Sequence, residues 1–406
     1  MLCNAGSRLI AATFVAAIAI VAGSGPLSAD ASATAGRLVA AQTALATRLI
    51  DRLAANKPGA NVIVSPASLA GALGVIEFGA DDQLRRNLHQ VLGFVEASRI
   101  SIDFAGLRKA TGRPRPDGLL ATANAIFFDS HVRPRPEALE ALADAGVRAS
   151  VEEFAKPETL AAINAWVNEQ TKGKIPTILE KRQDETGLVV LNALYFKDRW
   201  KQRFEANATK PAPFRMVGGK AIETQLMRAG DRQFRFRRDN RFIAVDIPYA
   251  SEGYSLVVIT TRREPAAAKD FSTVGEWLTG QGFFSSPGDV ALPRFSASSS
   301  FDLMPALKAL GLKPPNALPG FARGPLRLGK VQQRVELTVD EEGTEAAAAT
   351  AVTTTRSAEN EFIRFSADKP FMFALRDQSG LIVIAGYIAR PQAGAAQTSE
   401  APASTQ

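Results

Sequence analysis

Between Ala35 and Ala55 apolar side chains return at helical spacing (Leu38, Leu45, Leu49, Leu53) and predict an amphipathic helix. The stretch "NVIVSPASLAGALGVIEFGA" predicts a short strand, Asn61 to Val64, running into a helix with Pro66 near its start, a position where the missing N–H costs nothing. Further helices are expected from Asp82 to Leu92, near Ile102 to Ala110, in "PETLAAINAWVNEQTKGKI" up to Gly173, and in "FDLMPALKALGL". "LATANAIFFDS" reads as a strand, and "ETGLVVLNALYFKDRW" as a strand apolar on both faces and therefore buried on both. After Met227 strands dominate: "RQFRFRRD", "FIAVDIPYA", "YSLVVITT", the long "GKVQQRVELTVDEEG", then "EFIRFSADKPFMFALRD" and "GLIVIAGYIARP". No repeat and no linker divides the chain. Helices fill the first half and strands the second, so the expectation is one α+β unit.

The two ends differ from this body. Arg8 precedes a continuous apolar run, Leu9 to Ala22, followed by Gly-Ser-Gly-Pro and the small-residue stretch "LSADASA". A charged start, a short apolar run and an A-x-A-like site describe an export signal over residues 1–29, with cleavage after Ala29 or Ala33. The run is short for a membrane span. Cys3, the single cysteine, would leave with it, so residues 30–392 would be stabilised by packing without a disulfide. Residues 393–406, small and polar, read as a disordered tail. The 406 residues are 46% hydrophobic, enough for a sizeable core, and carry a net charge of +7 from 48 Lys+Arg against 41 Asp+Glu. That excess is weaker than a dedicated nucleic-acid binder shows.

Enzyme chemistry finds little footing. The two histidines, His89 in "RRNLHQVL" and His131 in "FFDSHVRPRP", read as a helix-surface and a turn residue. There is no HExxH, no paired Cys or His for zinc, no GxSxG elbow, and "GGK" at Gly218 to Lys220 lacks the rest of a phosphate loop. Ser366 and Lys369 have the SxxK spacing of some acyl-transferring serines, but they precede Pro370 between two strands instead of opening a helix. No metal or cofactor is expected. In "QFRFRRDNR" Phe234 and Phe236 alternate with Arg235 and Arg237, the pattern of a half-buried strand with an arginine face. Arg108, Lys109, Arg113 and Arg115 cluster at a helix end and form a weak candidate for binding heparin-like polyanions.

The most unusual tract is "DEEGTEAAAATAVTTTRSAEN", Asp340 to Asn360. Its alanines favour helix and its threonines and Val352 favour strand. In an extended conformation alternate side chains point to opposite faces. One face would then carry Thr344, Ala346, Ala348, Thr350, Val352 and Thr354, and the other Glu345, Ala347, Ala349, Ala351, Thr353 and Thr355. The first face is small and uncharged throughout, so it could enter an existing core without stranding an ion. Gly343 supplies a pivot where the preceding strand ends.

These residues resemble the hinge of the serpins, inhibitors that trap serine proteases by inserting a loop into a sheet, a behaviour already established for that family. "NVIVSPASLAGAL", "LNALYFKDRWKQRFEANATKPAPF", "VALPRFSASSSFDLMPALKALG" and "DKPFMFALRD…GLIVIAGYIARP" are similar to other serpin segments and occur in the same order, from about residue 36 to 391. The resemblance implies N-terminal helices packed on a large mixed central sheet with smaller sheets, and an exposed reactive-centre loop at about residues 343–361. It implies a monomer, a covalent complex with a target protease, and no catalysis by the chain itself. The hinge would comprise Gly343, Thr344, Glu345, Ala346, Ala347, Ala348, Ala349 and Thr350.

The family's spacing puts the scissile bond at Ser357–Ala358, for elastase-like targets; one residue earlier, Arg356–Ser357 offers a guanidinium to a trypsin-like pocket and is preferred on that charge argument. Ser65, Ser68 and Asn192 match a polar cluster beneath the sheet where strands part, and Gln333 stands where the family usually has histidine. Glu341 and Arg294 match an ion pair at the top of the sheet, near Trp200. Two competing expectations remain: a serpin-fold binding protein that inhibits nothing, against which the intact small-residue hinge argues, and a hydrolase using Ser366 and Lys369.

Overall fold

The computed structural model describes residues 29–93, 118–181, 187–344 and 361–392, with side chains from residue 36 onward. The export signal, the helix expected near Ile102, the Arg108, Lys109, Arg113 and Arg115 cluster, the loop residues 345–360 with both candidate scissile bonds, and the tail from 393 lie outside the described residues.

Helix α1 (Ala29–Asn56) turns Leu45, Leu49, Ile50 and Leu53 into the core. Strand β1 (Val62–Val64) leads through Ser65, whose hydroxyl accepts from the Ser68 N–H as an N-cap, into α2 (Pro66–Gly79). Being apolar nearly all round, α2 is buried nearly throughout. Helix α3 (Asp82–Leu92) is capped by Asp81, which accepts from the Leu84 N–H at 2.8 Å, and ends on Gly93 at φ 78°, a conformation suited to glycine. Prolines open α4 (Pro136–Asp144) and α5 (Pro157–Gln170).

Two sheets organise the rest. One has the order β10 (Phe295–Asp302), β11 (Leu328–Val339), β4 (Leu188–Arg199), β2 (Leu119–Asp129), β3 (Arg148–Glu152), with the short β12 (Gly343–Thr344) also paired to β4. It is mixed: β4 runs parallel to β11 and antiparallel to β2 and β12. The second, nine-stranded sheet has the order β1, β15 (Ile382–Ile388), β14 (Phe371–Asp377), β8 (Tyr254–Thr261), β7 (Phe242–Pro248), β6 (Ala221–Arg238), β9 (Phe284–Pro293), β13 (Ile363–Ser366), with β5 (Lys210–Arg215) on β6.

Strand β4 is the centre of the molecule, as its unbroken apolar sequence requires. On one face Leu188 and Val190 join the apolar cluster built with the N-terminal helices, and Leu194 and Phe196 join a second cluster built largely with the nine-stranded sheet. Val189, Leu191, Ala193 and Tyr195 face a separate layer closed by Ile163 and Val167 of α5. A strand inserted beside β4 would therefore meet packed apolar surface on both sides.

Two expectations need correction. The helix read across "FDLMPALKALGL" shrinks to α6 (Met304–Ala309), because Phe301 and Asp302 continue β10 opposite Gln333 and Gln332. His89 is not on a helix surface: it is 5% exposed, with Nε2 2.9 Å from Glu77 Oε1 on α2. His131 does lie in a turn, its Nδ1 2.5 Å from Asp129 Oδ1.

Candidate functional site: the hinge and the closed sheet

The pairing of β4 with β11 extends from Leu188–Leu328 to Phe196–Leu337 and then stops. Above it, β12 takes over the same edge of β4, antiparallel, with Gly343 opposite Arg199 and Thr344 opposite Asp198. Gly343 is at φ 151°, and a Cβ there would lie 2.2 Å from the Asp198 carbonyl oxygen and 2.5 Å from Arg199 Cα, so only glycine fits. Thr344 is fully buried and its hydroxyl lies 3.1 Å from the Tyr249 hydroxyl. Burial holds the Tyr249 phenol far above its ordinary pKa, so it stays neutral at any working pH. The first two hinge residues are thus already docked at the mouth of the sheet.

The segment leading to the hinge is held by β4 and its continuation. The Trp200 N–H donates to the Glu342 carbonyl (2.8 Å), the indole Nε1 to the Asp340 carbonyl (2.8 Å), and the Phe204 N–H to the Glu341 carbonyl (2.9 Å). The Trp200 ring stacks on Tyr249 with centroids 4.5 Å apart. Arg294 grips Glu341 with two nitrogens, Nε at 2.7 and 2.6 Å from the two carboxylate oxygens and Nη2 at 2.6 Å from Oε1; the Thr209 hydroxyl donates to the same carboxylate. Glu341 is 7% exposed while Arg294 is 43% exposed, so the anion is held in the fold and the cation reaches it from the surface. Asp340 accepts from the N–H groups of Glu342 (3.0 Å) and Gly343 (3.1 Å), yet burial outweighs those bonds and raises its pKa.

Halfway down the shared edge, Gln333 of β11 lies opposite Asn192 of β4. Gln333 Nε2 donates to Asn192 Oδ1 (2.9 Å) and to the Ser65 carbonyl (3.0 Å), while its Oε1 accepts from the Ser65 N–H (2.9 Å). Ser65 Oγ donates to the Val383 carbonyl (2.7 Å), and Asn192 Nδ2 donates to Asn124 Oδ1 (2.6 Å). Gln333 therefore ties together both strands of the closed edge and the loop entering α2, using both ends of a side chain that cannot titrate. Ser68 lends its backbone N–H to Ser65 Oγ.

The sequence reading named Ser65, Ser68, Asn192, Gln333, Glu341, Arg294, Trp200, Gly343 and Thr344, and these fall into two groups, at the mouth and the middle of one strand edge. It missed Tyr249, Thr209 and Asn124. Of these only Asn124 left a trace in its own segment, as a lone amide within the apolar "LATANAIFF". Ser366 and Lys369 do not form an acylation site: Ser366 ends β13 rather than opening a helix, and Lys369, 4% exposed, pairs with Asp368 at 2.5 Å. The arginines of "QFRFRRDNR" are engaged, Arg235 with Asp246 (2.7 Å) and Arg237 with Glu276 (2.7 Å). Among the described residues no group of His, Cys, Asp or Glu could hold a metal, and no helix is long and apolar enough to cross a membrane.

This constellation belongs to a known class. The chain matches the serpin (serine protease inhibitor) family over residues 40–391, and it is a member of that family. It is 31% identical over 384 residues to the leukocyte elastase inhibitor of Sus scrofa, covering 87% of this chain and 100% of the relative. Among solved structures, Serpin48 of the insect Tenebrio molitor superposes with a TM-score of 0.76 at 24% identity, over 88% of this chain and 99% of that one. Human thyroxine-binding globulin in complex with its ligand superposes with a TM-score of 0.77 at 21% identity, over 88% and 100%. At those identities the two structures establish the fold alone, and the function must be argued from the site.

Proposed function

We propose that the protein is an exported inhibitor of serine proteases, acting once per molecule as a substrate that traps its attacker. A target protease would attack the carbonyl of Arg356 with its own serine and form an acyl-enzyme. The freed hinge would then enter between β4 and β11, dragging the tethered protease along the sheet before water could release it. The small-residue hinge, intact from Thr344 to Ala349, favours this over a non-inhibitory binding protein.

The observation that carries the reading is the register of β12. Continuing its pairing residue by residue puts Ala346 opposite Phe196, Ala348 opposite Leu194, Thr350 opposite Asn192, Val352 opposite Val190 and Thr354 opposite Leu188. That is the uncharged face of the tract, set against the core-facing side of β4. Thr350 falls at the level of the Asn192–Gln333 hydrogen bond that insertion must break, and its hydroxyl can take over there. On the other face Glu345 falls opposite Lys197, and the alanines fall under α5. A surface loop without this destiny has no need to agree with β4 at each of these positions.

The deciding experiment mixes the mature protein with trypsin. An SDS-stable complex carrying the protease's mass supports inhibition, whereas clean cleavage with active protease recovered shows a mere substrate. A second reading, cleavage at Ser357–Ala358 by elastase-like enzymes, is favoured by the name of the Sus scrofa relative. Sequencing the C-terminal fragment separates the two, as it begins at Ser357 or at Ala358.

A further inference from the structure

The far end of the β4–β11 edge is built from arginines. Gly187 and Arg327 directly precede the two strands and touch: a Cβ on Gly187 would lie 3.0 Å from the Arg327 backbone. Beyond the end of β2, Pro134 and Ala322 form an antiparallel bridge, and the Arg135 N–H donates to the Phe321 carbonyl at 2.7 Å. Arg133 and Arg323 each adjoin a residue of that bridge, so the bridge brings two like charges into the same neighbourhood. Arg133 Nη1 donates to the Ser130 carbonyl (2.7 Å) and Arg135 Nε to the Pro319 carbonyl (2.9 Å). Neither they nor Arg323 nor Arg327 forms an ion pair with a described carboxylate; Asp129 nearby is engaged by His131, and Glu137, in the first turn of α4, pairs with none of them. Arg133, Arg323 and Arg327 are exposed.

The register that supports the inhibitory reading also says what arrives there. With Thr354 level with Leu188 and Leu328, Thr355 is level with Gly187 and Arg327, and Arg356 comes one extended residue further, about 3.3 Å. We propose that Arg133, Arg135, Arg323 and Arg327 form a docking surface for the trapped protease, one that prolongs complexes with proteases carrying an acidic surface beside the active site. This rests on the inhibitory reading and adds a selection step after acylation. The twelve residues of β4 separate the cluster from the hinge mouth by about 40 Å, several screening lengths at physiological salt, so the cluster cannot steer the first encounter. It acts on the lifetime of the complex alone.

The test uses a cationic and an anionic trypsin, which share arginine specificity, with the mature protein and the double variant Arg133→Glu/Arg323→Glu. Association rate and release of active protease are measured at about 0.05 M and about 0.5 M salt, where screening differs several-fold. The expected result for the wild type is a complex with the anionic enzyme that outlives the cationic one by about 3- to 10-fold at low salt, converging at high salt. The Glu variant, which leaves two arginines against two glutamates, should abolish the difference without changing association, and Arg133→Gln/Arg323→Gln, which leaves two arginines, should roughly halve it. Equal lifetimes across enzymes and variants overturn the proposal, as does a charge effect confined to association. If the variants lose retention on immobilised heparin while lifetimes stay unchanged, the cluster serves a polyanion and the proposal falls. Failure of the wild type to form a complex with either trypsin instead overturns the inhibitory reading beneath it.

Discussion

Thr344→Arg is the most direct probe of the insertion argument. Thr344 is fully buried, lies against Tyr249, and sits opposite Asp198, itself 1% exposed. Arginine at this point loses the threonine's hydrogen bond, worth about 1 kcal/mol, and must either bury a cation or undock the hinge. An uncompensated buried charge costs about 3–5 kcal/mol; Asp198 offers partial compensation, so about 3 kcal/mol is a fair working figure. Spread onto the barrier to insertion, about 3 kcal/mol slows that step roughly 100-fold. Insertion competes with hydrolysis of the acyl-enzyme, so a slowdown of that size should convert most encounters into turnover. The assay titrates trypsin with wild type, Thr344→Arg and the neutral control Thr344→Val, scoring SDS-stable complex against cleaved chain. Wild type and Thr344→Val should form mainly complex, and Thr344→Arg mainly cleaved chain. Full complex from Thr344→Arg would refute the assignment of this face to the core.

Other substitutions probe the closed state. Gln333→His should introduce an acid sensitivity that the wild-type edge lacks: a buried imidazole has its pKa pushed below the unfolded value near 6.5, so stability falls as pH drops through about 6.5, whereas Gln333 leaves this site indifferent to pH. Thermal melts between pH 5 and 8 check this, and parallel curves for the two proteins would count against it. Asp340→Asn keeps the acceptors for the Glu342 and Gly343 N–H groups while removing a carboxylate whose pKa burial raises. Since a raised carboxylate contributes stability below its unfolded pKa and loses it as pH rises, the variant should melt above the wild type at pH 7, with the gap closing towards pH 4. Arg294→Ala leaves Glu341 buried with Thr209 as its one remaining side-chain partner among the described residues, and should lower the stability of the uncleaved form by about 2–3 kcal/mol, seen as a lower melting temperature and faster loss of activity on storage.

The parts of the fold legible in the sequence are those set by local chemistry. Asp81 and Gly93 bracket α3 by capping, so its limits, Asp82 and Leu92, could be read directly. The unbroken apolar run of β4 likewise declared burial on both faces. Local signals failed where a distant partner decides. Phe301 and Asp302 look like the first turn of a helix until Gln332 and Gln333 of β11 pair with them. His89 looks exposed between Leu88 and Gln90 until Glu77, on another helix, covers it. The site divides in the same way. Gly343, Thr344 and the alanines follow from parity and backbone sterics, whereas Tyr249 and Thr209 reach the hinge from segments whose own pattern gives no hint of it.

On the proposed mechanism the closed sheet and the inserted one would compete for the same edge, and the sequence of β4 suits both. In the closed form Asn192 hydrogen-bonds Gln333, and Phe196 and Leu194 pair with Leu337 and Val335. Insertion would give up that single parallel ladder and replace it with two antiparallel ones, one on β4 and one on β11, so the chain would gain a strand's worth of backbone hydrogen bonds and bury the alanines as well. That gain would be withheld in the uncut chain because the residues on either side of the tract are tied, Gly343 by β12 on β4 and Ile363 by β13 on β9. A strand cannot thread the full length of β4 while its far end is fixed there. Cutting the chain between those ties releases one end and leaves the other, and only the hinge end is already in register. The bond to be cut must therefore lie far enough from Thr344 to supply a strand as long as β4 and close enough to Ile363 to leave little behind. Arg356–Ser357 and Ser357–Ala358 both meet that condition; a cut within the alanine run would free too short a strand to reach Leu188, and would yield a cleaved chain without a trapped protease.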